Sequence, residues 1–205
     1  MKKNVLLAIS VAMLNVGVMN ESVAYHLKVN FIQEETTTPE ILLDKALEAE
    51  VTGDKNALFS ALTASTAAVE KETKGYTGNF KDKLIGQVSA LQKLTPLVKS
   101  GLLKGDMLKK VVNTVKMLLA AKRIESALGG SSLLGNTSGL TKNLGLMKTG
   151  LSVLGTDSQK KLGGFLNTAI SGIATLSKGG MTAKVAEPAV RNQLAGILDF
   201  VKGAI

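Results

Sequence analysis

Cysteine and tryptophan are absent from this 205-residue chain, histidine occurs once, and aromatic residues make up only 3% of it. Without cysteine there are no disulfides, no thiol catalysis, no thiolate metal site and no lipid-modified cysteine. The single histidine, His26, excludes a histidine-based triad or a histidine-rich metal site within one chain. With hydrophobic residues at 45%, a core is available, but it must be built from Leu, Val, Ile, Ala and Met. These pack well between helices, and the scarcity of large strand formers argues against an all-β sandwich. The same scarcity bears on nucleic acid. Single-strand readers interleave basic residues with stacking aromatics, whereas Tyr76, Phe80, Phe165 and Phe200 are isolated and lysine far outnumbers Arg123 and Arg191.

Motifs for chemistry are also missing. Gly129-Gly130-Ser131-Ser132 is glycine-rich, but no Gly-Lys-Ser/Thr follows and a helix precedes it, so it reads as a helix stop rather than a phosphate loop. The carboxylate pairs Glu34/Glu35, Glu48/Glu50 and Glu70/Glu72 do not share a helix face. No catalytic, cofactor-binding or metal-binding residue is assigned, and the expectation is a protein that is not an enzyme. A carboxylate site assembled only by the fold is a low-ranking alternative. Asn136-Thr137-Ser138 matches the N-glycosylation pattern, which matters only in a host that glycosylates secreted chains.

What is present begins with an address. Lys2 and Lys3 precede an apolar run from Val5 to Met19, interrupted by Ser10, Asn15 and Gly17, and Ser22-Val23-Ala24 then supplies small residues. This predicts a secretory signal, residues 1–24, cleaved after Ala24, and a periplasmic or extracellular location. An uncleaved anchor is the competing reading, although the run is short for a span of about 20 residues. Residues 25–38 are expected to form a mobile arm or linker, with a short strand at Leu27, Val29 and Phe31 conceivable by alternation.

Charge is divided along the chain. From Glu34 to Glu72, nine acids face only Lys45, Lys55 and Lys71, a net −6, while from Thr73 onwards nineteen Lys or Arg face six acids, a net +13. Either the acidic block folds back onto the basic one, or the basic part meets an external anion.

Hydrophobic spacing predicts an all-α, single-domain bundle of about seven helices over residues 39–205. An acidic helical hairpin occupies 39–74. Thr38-Pro39-Glu40 is its start signal, and Thr52-Gly53-Asp54 stops the first helix and caps the second. Basic central helices occupy 81–128. A helix with Leu84, Ile85, Val88 and Leu91 inward ends near Leu94, Pro96 breaks it, and a short helix from Leu97 leads on. The central helix, Asp106 to Leu128, carries an apolar stripe at Leu108, Val111, Val112, Val115, Leu118 and Leu119, with a basic face expected to be solvated. Gly105-Asp106 is read as its cap, and Gly129-Gly130 as a left-handed stop. Glycine-rich helices occupy 131–205. Seams at Leu140, Leu144, Met147, Leu151 and Leu154 and at Leu162, Phe165, Leu166, Ala169, Ile173 and Leu176 precede a last helix opened by Pro188. Gly145, Gly150, Gly163, Gly164 and Gly172 each cost a helix about 1 kcal/mol relative to alanine. Close helix approach is the favoured explanation, insertion into lipid the alternative.

The functional expectation is a secreted or periplasmic binding protein. Lys109, Lys110, Lys116, Lys122 and Arg123 would present a basic helical surface to an anionic envelope partner: lipid, glycan or protein. The runner-up is a membrane-active protein working through its glycine-rich amphipathic helices.

Overall fold

The computed structural model describes residues 37–205. The expected signal, His26 and nearly all of the arm lie outside the described residues. Within them the chain is all-helical, with no strand: α1 (Pro39–Thr52), α2 (Lys55–Lys74), α3 (Asn79–Ser100), α4 (Gly105–Leu128), α5 (Thr137–Gly150), α6 (Thr156–Leu176) and α7 (Gly180–Ala204). Short 3-10 turns at Leu134–Asn136 and Leu151–Val153 flank α5.

The α1–α2 hairpin forms by the chemistry its sequence announces. Gly53 takes the left-handed conformation at φ 73° and closes α1. Asp54 then accepts the amides of Asn56 and Ala57 at 3.0 and 2.9 Å, satisfying two of the free donors that open α2. Thr38 precedes α1, but its hydroxyl makes no capping bond. Proline and Glu40 in the first turn provide the start instead.

At the centre, α4 packs against α1, α3, α5 and α7. Every residue from Val112 to Lys122 is buried, which corrects the expectation of one solvated face. A second apolar stripe, Met117, Ala120, Ala121 and Ile124, is offset from the first and also buried. Two stripes on one helix require neighbours on both sides. The side chains between them must therefore find partners inside the fold. Asn113 donates to Ser152 Oγ at 3.1 Å and Thr114 donates to the Lys110 carbonyl at 2.8 Å.

Both internal prolines sit within helices rather than ending or opening them. Pro96 lies inside α3 and Pro188 inside α7. Each deprives the carbonyl four residues earlier of its donor, at Gln92 and Lys184, and each of these positions is exposed. Water can satisfy those carbonyls, while Leu94 and Val98, and Ala183 and Val190, carry the buried stripe past each proline.

The stop after α4 is also different from the expectation. Gly129 is right-handed, at φ −69°. Arg191 of α7 does the work of a left-handed glycine by donating to the carbonyls of Leu128 at 2.9 Å and Gly130 at 3.0 Å. Neighbouring Glu187 accepts the Leu133 amide at 2.7 Å and the Ser132 hydroxyl at 3.1 Å, so α7 holds the whole linker.

Glycine has two different roles in α5–α7. A Cβ at Gly150 would lie 2.9 Å from Met117 Cβ and 3.0 Å from the Asn113 carbonyl, and one at Gly172 would lie 2.7 Å from Val190 Cγ2. Those two mark close approaches of α5 to α4 and of α6 to α7. Gly145 and Gly164 face open space, and Gly163 would make only ordinary contact.

Candidate anion-binding surface

The five basic residues singled out on α4 fall into two groups. Lys109 and Lys110, in the early turns, are exposed, and neither has an acidic partner among the described residues. Lys116 and Lys122 are only 5% and 7% exposed, and Arg123 is half-buried. Their charges are answered within the chain.

The acidic hairpin supplies most of the answer. Lys116 Nζ pairs with Asp44 of α1, a carboxylate at the surface that the long lysine stem reaches. Arg123 binds Glu72 of α2 through two parallel bonds, Nε to Oε1 at 2.8 Å and Nη2 to Oε2 at 2.7 Å. Its remaining nitrogen, Nη1, lies 2.5 Å from Oε1 of Glu40, a charge contact without the alignment of a hydrogen bond. Glu40 is 4% exposed, so this guanidinium is what makes its burial tolerable. The three pairs hold α1 and α2 in register on α4, since Glu40 and Asp44 run antiparallel to Lys116 and Arg123.

Tyr76 completes the cluster by donating its hydroxyl to Glu72. Burial and that bond push the phenol well above its ordinary range. Burial pushes the Glu72 carboxyl up, but the bonds from Arg123 and Tyr76 outweigh it and hold the carboxyl low. Burial likewise opposes the Arg123 charge, and Glu72 and Glu40 reverse that effect. On the other side, Lys122 binds Glu125 at 2.6 Å and lies 5.7 Å from the Tyr76 ring centre. Lys202 of α7 reaches the same Glu125 at 3.5 Å.

Removing these pairs from the tally leaves the positive charge that faces solvent. Besides Lys109 and Lys110, Lys93, Lys99 and Lys104 are exposed on α3 and the following loop, and Lys142, Lys148, Lys160 and Lys161 on α5 and α6. The sequence pattern distinguishes none of these from Lys116 or Lys122. Only the second apolar stripe on α4 hints that its central lysines are enclosed.

Several open grooves interrupt the described surface. One of about 390 Å³ lies between α2 and α3, lined by residues that include Lys74, Lys81, Ile85 and Val88. Another of about 570 Å³ lies between α6 and α7, lined by Phe165, Thr168, Asn192, Gln193 and Gly196. Ile85 and Phe165, both expected in the core, are each 49% exposed in these grooves. They sit at the edge of their helical stripes, beside the groove in each case. No group of three or more acidic or histidine side chains is placed to hold a metal ion among the described residues.

Comparison of the chain with protein-family models, with curated proteins and with solved structures finds no match.

Proposed function

We propose that this is a non-enzymatic binding protein of the periplasm or extracellular space, whose exposed lysines engage an anionic component of the cell envelope. The observation that carries the reading is the division of the basic residues. Lys116, Lys122 and Arg123 are consumed by the protein's own carboxylates, while Lys104, Lys109 and Lys110 are exposed and unmatched. Unmatched lysines of this kind give a salt-sensitive attraction to anionic surfaces. The recognition surface therefore centres on the α3–α4 junction, and Arg123 belongs to the scaffold.

Co-sedimentation with anionic and neutral vesicles, at low and high salt, tests this. Binding to anionic vesicles only, lost at high salt and reduced in a Lys104→Gln/Lys109→Gln/Lys110→Gln variant, is the expected result. Equal sedimentation of that variant would overturn the assignment of the surface.

A second reading, a membrane-active protein, is favoured by one observation. Met181 and Val185, one turn apart at the start of α7, are 76% and 74% exposed. Against it, the seams of α5 and α6 are buried apart from Phe165 and the half-buried Leu151, and no helix among the described residues is long and apolar enough to cross a membrane. Salt-resistant binding with dye leakage would favour this reading instead.

A further inference from the structure

We infer that the groove between α2 and α3 binds a single-chain amphiphile with an anionic headgroup, Lys81 and Lys74 meeting the head and Ile85 and Val88 the aliphatic chain. This deepens the anionic-partner reading, and rests on it, by giving one small ligand class and one place.

Ile85 is the first reason. Its spacing groups it with Leu84, Val88 and Leu91, which are all buried, yet Ile85 itself stays 49% exposed along the groove. Its large aliphatic side chain, with the buried Val88 beside it in the lining, forms an apolar floor that the protein's own helices leave half open. The space, about 390 Å³, falls within the range of small-molecule sites.

The polar lining then selects the headgroup. Thr73 donates to the Val69 carbonyl at 2.7 Å and Ser89 to the Ile85 carbonyl at 3.2 Å, so both hydroxyl protons are already used within their helices. Lys81 has no acidic partner among the described residues. Lys74 is held only by Glu70, at 3.3 Å, in an exposed pair of the kind that contributes little and rearranges readily. Glu70 lines the groove as well and offsets Lys74, so the unmatched charge of Lys81 is what favours a carboxylate or phosphate head over a neutral polyol. Lys81 lies in the first turn of α3, where the helix dipole favours negative charge as well.

The α6–α7 groove has no charged lining residue and provides an internal control. Calorimetric titration of the full chain with dodecanoate, below its micelle concentration, should show one saturable site. Acetate and the neutral dodecyl maltoside should not compete for it. Lys81→Glu and Ile85→Ser should each weaken dodecanoate about tenfold, the loss of one charge-assisted contact or one buried aliphatic surface. Phe165→Ser should leave it unchanged. Both groove positions are partly exposed, and helical circular dichroism verifies that each variant folds. Equal binding of the neutral detergent, or dodecanoate affinity unmoved by both groove substitutions, would overturn the proposal. Salt-sensitive vesicle binding without any dodecanoate binding would overturn the groove and leave the surface reading standing. Dodecanoate binding without vesicle binding would support the groove and remove the α3–α4 surface.

Discussion

Around α1, α2 and the second half of α4, carboxylates from one part of the chain meet cations from another, whereas around α5, α6 and α7 glycines bring helices together and most lysines stay outside. In the first region Glu40, Asp44 and Glu72 neutralise Arg123 and Lys116, and the bidentate Arg123–Glu72 pair fixes both position and orientation. In the second, contact depends on the missing side chains of Gly150 and Gly172. The difference shows why a segregated charge pattern is a poor guide to a binding surface by itself. A cation opposite an acidic helix is part of the scaffold, whereas Lys142, Lys148, Lys160 and Lys161 on α5 and α6 have no acidic partner among the described residues.

Removing the centre of the charged region should have the largest effect. Arg123→Met leaves Glu40 buried without a counter-charge and breaks both bonds to Glu72, so it should cost about 3–5 kcal/mol in urea unfolding. Lys109→Met, on the exposed turn of the same helix, should change stability by no more than about 0.5 kcal/mol. A cost for Arg123→Met as small as that of Lys109→Met would mean that the pairs do not hold α1 and α2 on α4.

The glycine-packed region is broken by adding one carbon. Gly150→Ala would press a Cβ against the Asn113 carbonyl, a backbone atom that cannot rotate away, at a cost of about 1–3 kcal/mol. Gly172→Ala should cost a similar amount against Val190. Gly145→Ala and Gly164→Ala meet open space and should instead stabilise by roughly 0.5–1 kcal/mol. Thermal unfolding of the four variants measures the contrast, and the same sign for all four would remove the distinction.

Much of this architecture is legible in the amino-acid order. The hairpin signals at Gly53 and Asp54, the buried stripes of α2, α6 and α7, and the all-helical class follow from local chemistry and period. The prolines mislead because their cost depends on whether the freed carbonyl faces water, and no local rule reports that for Gln92 or Lys184. Gly129 misleads because its substitute, Arg191, is 62 residues away in the chain. For the candidate surface, Lys109 and Lys116 are indistinguishable by residue type and helix position. They separate only when Asp44 is brought across the fold. The opposing charges of the two sequence blocks allow internal pairing as one of two readings, but do not say which cations it uses.

The smallest expected effect compares two carboxyls, one in each region. Glu72 is held low by Arg123 and Tyr76 against the opposing effect of burial, and Glu187 chiefly by the Leu133 amide, with Arg191 and Ser132 contributing. Both should contribute stability that is present above the ordinary value of 4.5 and lost as pH falls through the lowered folded value. Unfolding free energy measured from about pH 6 down to about pH 3 should therefore decline in the native protein, and decline less in Glu72→Gln or Glu187→Gln. Salt separates the two. The Glu72 contribution comes from an ion pair, a quarter of its carboxylate side chain being exposed, and should shrink in high salt. The Glu187 contribution comes first from a neutral backbone donor and should shrink less. Identical salt responses would mean that charge pairing acts equally in both regions, and the contrast between charge-stitched and glycine-packed helices would fail at its most direct electrostatic test.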